Sequence, residues 1–291
     1  MTCSIRPDHC PIVPNQSWSA DNALACKVTG ATEAERNETV EWGNEPVWQT
    51  TERTTDRSAS RPVRALLMET VKQALVVLVG VTADARKRDF LARHLAAETD
   101  NVVLVPPVPQ WRGLSCCAGW LDGYFKREGI FAEFDQVHFL NYISGGYMFR
   151  SVASSWPNER IGRIIYCRGP IQERVPAALI EKYTRIGILL TQGKMVVDLA
   201  ETWIDQLPYP ATCHEQGLII ETGVSQLAAS LGLSTASVVS DEWKPHRLLP
   251  GANDVIRVPE SHDDVYTSET FLGAVLNFFR SGHFKVQGAV S

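Results

Sequence analysis

The sequence predicts an α/β protein: an open, mostly parallel, doubly wound sheet with a helical cap insertion. Short runs of β-branched and aliphatic residues, closed by Gly or Pro, recur along the chain. Stretches with apolar residues three and four apart separate them, so strands alternate with helices. Several of the runs are apolar at every position, as strands covered on both faces require. The composition bounds the class: 291 residues, 44% hydrophobic, 9% aromatic and 21% charged, suffice for one large domain. They exclude collagen-like, coiled-coil and wholly disordered chains.

Residues 1–60 are rich in Thr, Ser, Asn, Asp, Glu and Pro without lasting periodicity, and read as a polar, loosely ordered extension. Trp18, Trp42 and Trp48 within it are apolar enough to dock on a protein partner. Residues 61–291 read as the folded domain. A short helix over Val63–Gln73 leads into a strand at Leu75–Val79, ended by Gly80. A helix over Arg86–Ala97 sets Phe90, Leu91 and Leu95 on one stripe, and a second strand, Val102–Val105, closes at Pro106-Pro107. A helix over Leu114–Glu128, a strand at Val137–Leu140 and a helix over Tyr147–Ser154 follow. Further strands are expected at Ile164–Cys167, Gly217–Ile220, Ser237–Val239 and Val255–Val258. Residues 175–215, with Leu189, Leu190, Val196, Val197, Leu199, Trp203 and Ile204, read as a helical insertion. A doubly wound sheet places its working residues on loops at the carboxyl ends of the strands, where such an insertion forms a cap.

Several function classes fall away. Lys+Arg 28 against Asp+Glu 33 gives a net charge of -5, which argues against a nucleic-acid-binding surface. The longest clean apolar run, Ala74–Val79, is far short of the roughly 20 residues that cross a bilayer, so no membrane span is expected. The start, Met1 to Pro14, lacks the apolar core of a secretory signal, and a cytoplasmic location is expected. The seven cysteines form no C-x-x-C pair or zinc spacing and read as free thiols, with Cys116-Cys117 as small apolar residues on a helix. Three consecutive side chains, Cys213, His214 and Glu215, do not converge on one ion, so no metal site is expected. Gly193-Lys194 lacks the preceding glycine of a phosphate loop and Gly80 opens no G-x-G-x-x-G, so no cofactor is expected. His138, inside an apolar strand, reads as a core histidine.

Three strand-end segments, VHFLNYISGGYMFR from Val137, SDEWKPHRLLPGAND from Ser240 and VPESHDDVY from Val258, together resemble the α/β-hydrolase superfamily, specifically its lipase-like and esterase-like members. The resemblance spans about Ala74 to Phe284, including FLGAVLNFFRSGHF from Phe271, which looks like the superfamily's final amphipathic helix. The nucleophile elbow there is G-x-S-x-G-G, a strand-to-helix turn that exposes a strained Ser. Laid on Asn141-Tyr142-Ile143-Ser144-Gly145-Gly146 without a gap, the nucleophile position falls on Ile143, which has no nucleophilic atom. Shifted by one residue it falls on Ser144, with Tyr142 where the turn favours a small residue. The resemblance further implies His262 as general base and Asp241 as the acid that orients it, with Glu242 as its substitute. It assigns oxyanion-type donors to Gly145 and to Val81 or Thr82, although Val79 stands where a His usually precedes Gly80. Arg150 matches an arginine common in the lipase-like members and is expected to form a structural ion pair.

Two functions follow from this resemblance. The leading one is a protein of lipase/esterase descent whose serine chemistry is lost or strongly reduced, acting as a binding or accessory protein through its capped pocket. The alternative is an active serine carboxylic-ester hydrolase using Ser144, His262 and Asp241. Its substrate, or the ligand of the inactive protein, would be a small ester or acyl compound with an apolar chain, since the cap sequence is apolar. A third reading is an interaction module working through the tryptophan-bearing extension.

Overall fold

Six strands pair side by side among the described residues: β1 (Gln73–Leu78), β2 (Val102–Leu104), β3 (Gln136–Tyr142), β4 (Ile161–Cys167), β5 (Gln216–Glu221) and β6 (Ala252–Val258). Their order is β2-β1-β3-β4-β5-β6, and every pair is parallel. The computed structural model describes residues 71–81, 83–167, 174–202, 207–208, 214–232, 249 and 251–284.

The apolar runs explain the layering. Along β1, Ala74, Val76 and Leu78 pack into one core while Leu75, Val77 and Val79 pack into another. Alternate side chains leave a strand on opposite faces, so an unbroken apolar run supplies two cores at once. The first face is covered by α2 (Leu114–Arg127) and α4 (Ser144–Val152), which contribute Cys117, Leu121, Phe125, Met148 and Phe149. The second is covered by α1 (Ala85–Glu98), through Leu91 and Leu95, and by the last helix, which contributes Phe271, Val275 and Phe278. A short helix, α3 (Ile130–Glu133), leads into β3. Between β4 and β5 stand α5 (Arg174–Tyr183), α6 (Arg185–Gln192) and α7 (Lys194–Glu201), the expected helical insertion. After β5 comes α8 (Gln226–Ser230), and after β6 the last helix, α9 (Glu269–Ser281).

Several expectations shift. Gln73 is not helical but opens β1, where it pairs with Gln136; residues 63–70 of the expected helix lie outside the described residues. The helix expected from Tyr147 begins three residues earlier, at Ser144. A Cβ on Gly145 would meet the Leu78 carbonyl oxygen at 2.1 Å, so the two glycines form the helix's first turn against β1 rather than a loop before it. The last helix stops at Ser281 because Gly282 takes φ 79°, a left-handed cap that Gly adopts at little cost. Ser237–Val239 lies outside the described residues, as do Trp203 and Ile204 of the insertion. Among the described residues no helix is long and apolar enough to cross a membrane, and no group of three or more His, Cys, Asp or Glu is placed to hold a metal ion.

Candidate functional site

The strand order reverses direction at β1: the chain passes from β1 to β2 on one side, then crosses back to β3 on the other. In a doubly wound sheet the crevice at such a switch point, beyond the carboxyl ends of the two strands, is where ligands bind. The strands here end at Leu78 and Tyr142.

Ile143 is the single residue between β3 and α4. Its φ of 20° and ψ of -94° lie outside the three regions that ordinary L-residues occupy, an arrangement costly for a β-branched side chain. The turn is held on both sides. The Ile143 amide donates to the Cys167 carbonyl at 3.3 Å, and its own carbonyl accepts from Gly146 at 2.9 Å and Tyr147 at 3.3 Å. Ser144 is the first helical residue and is fully buried. Its hydroxyl donates to Oε1 of Gln110 at 2.7 Å, while Nε2 of Gln110 donates to the Val79 carbonyl at 2.8 Å. No hydrogen bond joins Ser144 to His262. Gly145 lies on the end of β1, and Gly146 packs on the Tyr166 ring.

His262 follows β6, and β6 lies directly beside β5. Its Nδ1 stands 3.5 Å from Oε2 of Glu221, the last residue of β5, which is wholly buried. The other edge of the imidazole faces the end of β1: a Cβ on Gly80 would lie 3.8 Å from both Cε1 and Nε2. Tyr266, one helical turn after His262, presents its ring edge to the imidazole and accepts the Gly80 amide at 3.3 Å on its hydroxyl. It stacks on Tyr142 at 4.6 Å, and Lys87 lies 5.2 Å above its ring. The Glu221 carboxylate leaves its mark on its neighbours. Burial chiefly, with Glu221 adding to it, raises the Cys167 thiol well above its usual range. The Tyr142 phenol rises likewise, through burial, then Cys167, Tyr266 and Glu221.

The structure therefore brings Ile143, Ser144, Gly145 and His262 to one end of the sheet, with Val81 half-buried nearby. Asp241, Glu242 and Thr82 lie outside the described residues. Among the described residues, Glu221 presents a carboxylate to His262 that was not among the expected site residues. Its signal was present: an acid closing the buried run Gly217–Ile220, one residue past the expected strand end. Gln110 and Tyr266 carried no comparable signal, because neither closes a strand nor stands in the elbow pattern. Arg150 is buried on α4, and its guanidinium donates to the carbonyls of Leu207 and Pro208, tying the elbow helix to the part of the insertion after α7.

The insertion departs from expectation in the side it presents. Leu189 and Leu190 of α6 are 41% and 70% exposed, whereas Thr191 and Gln192 at its end line a cleft shared with Gly80, Val81 and Gln110. The cap wall of the cleft is polar.

No protein-family model and no curated protein matches the sequence. Among solved structures the chain is similar to a lipase of Bacillus licheniformis in mature form, at 12% identity over 73% of this chain and 93% of that one, with a TM-score of 0.50. It is also similar to an α/β-hydrolase enzyme from a lagoon-sediment metagenome, at 13% identity over 72% and 92%, with a TM-score of 0.48. An esterase from Exiguobacterium antarcticum matches at 12% identity over 72% and 93%, with a TM-score of 0.45. The likeness to the Bacillus lipase, with the six-strand parallel sheet flanked by helices, gives this chain the α/β-hydrolase fold.

Proposed function

We propose that this α/β-hydrolase-fold chain is a binding or accessory protein in which serine hydrolase chemistry is lost or strongly reduced. The observation that carries this reading is Ile143 alone between β3 and α4. The residue at that turn would have to attack an acyl carbon, and a hydrocarbon side chain supplies no electron pair to do so. Around it the polar frame is kept, with His262 held at 3.5 Å from Glu221 and Gly145 against β1. In this reading Glu221, rather than Asp241, is the acid that orients the imidazole. Ser144 is a poor substitute for the missing nucleophile. Its hydroxyl proton points to an amide oxygen of Gln110, which takes no proton at neutral pH, so the base that must activate it is not the group it touches. What the frame retains is a polar crevice able to hold a small ester or acyl compound without cleaving it.

Hydrolysis of a series of p-nitrophenyl esters tests the proposal. The native protein is expected to turn them over at the rate of buffer alone. Ile143→Ser is expected to raise hydrolysis about tenfold or more, and His262→Ala in that background to remove the gain. Turnover by the native protein that disappears in Ser144→Ala would overturn the proposal in favour of a working ester hydrolase.

A further inference from the structure

The cleft beyond the end of β1, next to the elbow through Gln110, has a volume of about 340 Å³, within the span of small-molecule sites. One side is apolar, formed by Val81, Val108 and Trp111; the cap side is formed by the polar Thr191 and Gln192. Among the described residues lining it, one has an ionisable side chain: Arg88, partly buried on α1. Four other arginines of the fold have acidic partners, Arg127 with Glu128, Arg160 with Asp135, Arg163 with Glu215 and Arg185 with Glu201, while others such as Arg93 and Arg280 bond to backbone carbonyls instead. The Arg88 guanidinium has neither hydrogen bond nor ion pair among the described residues. The neighbouring Lys87 does not share the cleft but sits over the Tyr266 ring.

A guanidinium that lines a cleft with no anion beside it among the described residues is available to pair with a bound anion, and its planar fork of donors matches a carboxylate. We infer that the cleft takes a carboxylate with an apolar body, the carboxylate pairing with Arg88 and the body lying on Val81, Val108 and Trp111. One positive charge, with no second cation among the described lining residues, suits a monoanion better than a phosphate dianion. The inference rests on the binding reading above and names its ligand class: a free acid, which presents no ester bond to cleave, fits a site that lacks a nucleophile.

Calorimetric titration of the full chain with octanoate and with octanamide, which shares the apolar body but not the charge, tests it. Octanoate is expected to bind about tenfold more tightly than octanamide, the scale of one charge-assisted hydrogen-bonded contact. Arg88→Gln is expected to remove that preference by weakening octanoate more than octanamide, and Arg88→Lys to keep part of it. An unchanged urea-unfolding midpoint of Arg88→Gln shows that the variant is folded. Equal affinities for the two compounds in the native protein would overturn the carboxylate inference and leave the binding reading standing. Failure of both compounds to bind would overturn the inference and the apolar-bodied ligand with it. Ester turnover dependent on Ser144, read in the hydrolysis assay, strikes the binding reading alone.

Discussion

A Cβ built on Gly145 would stand 2.1 Å from the Leu78 carbonyl oxygen and 2.8 Å from its carbonyl carbon, both backbone atoms that cannot swing aside. The elbow helix therefore rests on β1 with no room for a side chain, and this contact places Ile143 at the crevice. Gly145→Ala must push α4 away from the sheet, and we expect it to lower unfolding stability by about 3 kcal/mol in urea titrations, the scale of overpacking in a close-packed core. A loss below about 0.5 kcal/mol would show that α4 is free to shift. The same scale explains why Ile143 stands out: a β-branched residue at φ 20°, ψ -94° is a local conflict. Such conflicts mark places where a backbone shape is held by its surroundings rather than chosen by its residue.

At the scale of elements, the pairing of β3 with β4 slips between Val137 and Phe139, and His138 sits in the slip. There the Arg163 amide donates to Nδ1 of His138 at 2.8 Å, a side-chain acceptor at the irregularity. That bond needs the nitrogen unprotonated, and burial, with the Arg163 charge adding to it, lowers the His138 pKa from 6.5 to about 4. The unfolded chain then binds a proton that the folded one refuses, so stability falls as pH drops from about 6.5 to about 4. The loss from this residue should reach roughly 3 kcal/mol. Urea unfolding across that range should show His138→Asn, which keeps an acceptor but does not titrate, losing correspondingly less; parallel profiles would contradict the assignment. The sequence made the histidine's core position readable because apolar residues flank it, but the slip depends on partner register and left no local trace. Strands were legible for the same reason: Leu75–Val79 is apolar throughout, and two-sided burial is the physics behind that pattern. Helix starts were less legible, since Gly145 and Gly146 read as a turn until the contact with Leu78 is seen.

For the molecule as a whole, the sheet order decides which chain segments meet. Because β5 lies beside β6, the buried Glu221 at the end of one strand faces His262 just beyond the other, across 40 residues of intervening sequence. Sequence motifs reported the elbow and the histidine, since each sits in a local pattern of strand, turn and helix. The Glu221 carboxylate lies near the histidine in the sheet rather than in the chain, and Asp241, the acid expected from the sequence, lies outside the described residues. The result is a site whose frame is assembled from four separated segments around a position, 143, that holds a hydrocarbon side chain. Treatment of the native protein with a fluorophosphonate, with a known serine esterase labelled alongside and adducts located by peptide mass spectrometry, tests that conclusion most directly. We predict no adduct on any residue of this chain while the esterase is labelled in full; an adduct on Ser144 would show that the serine beside the elbow does the chemistry that Ile143 cannot.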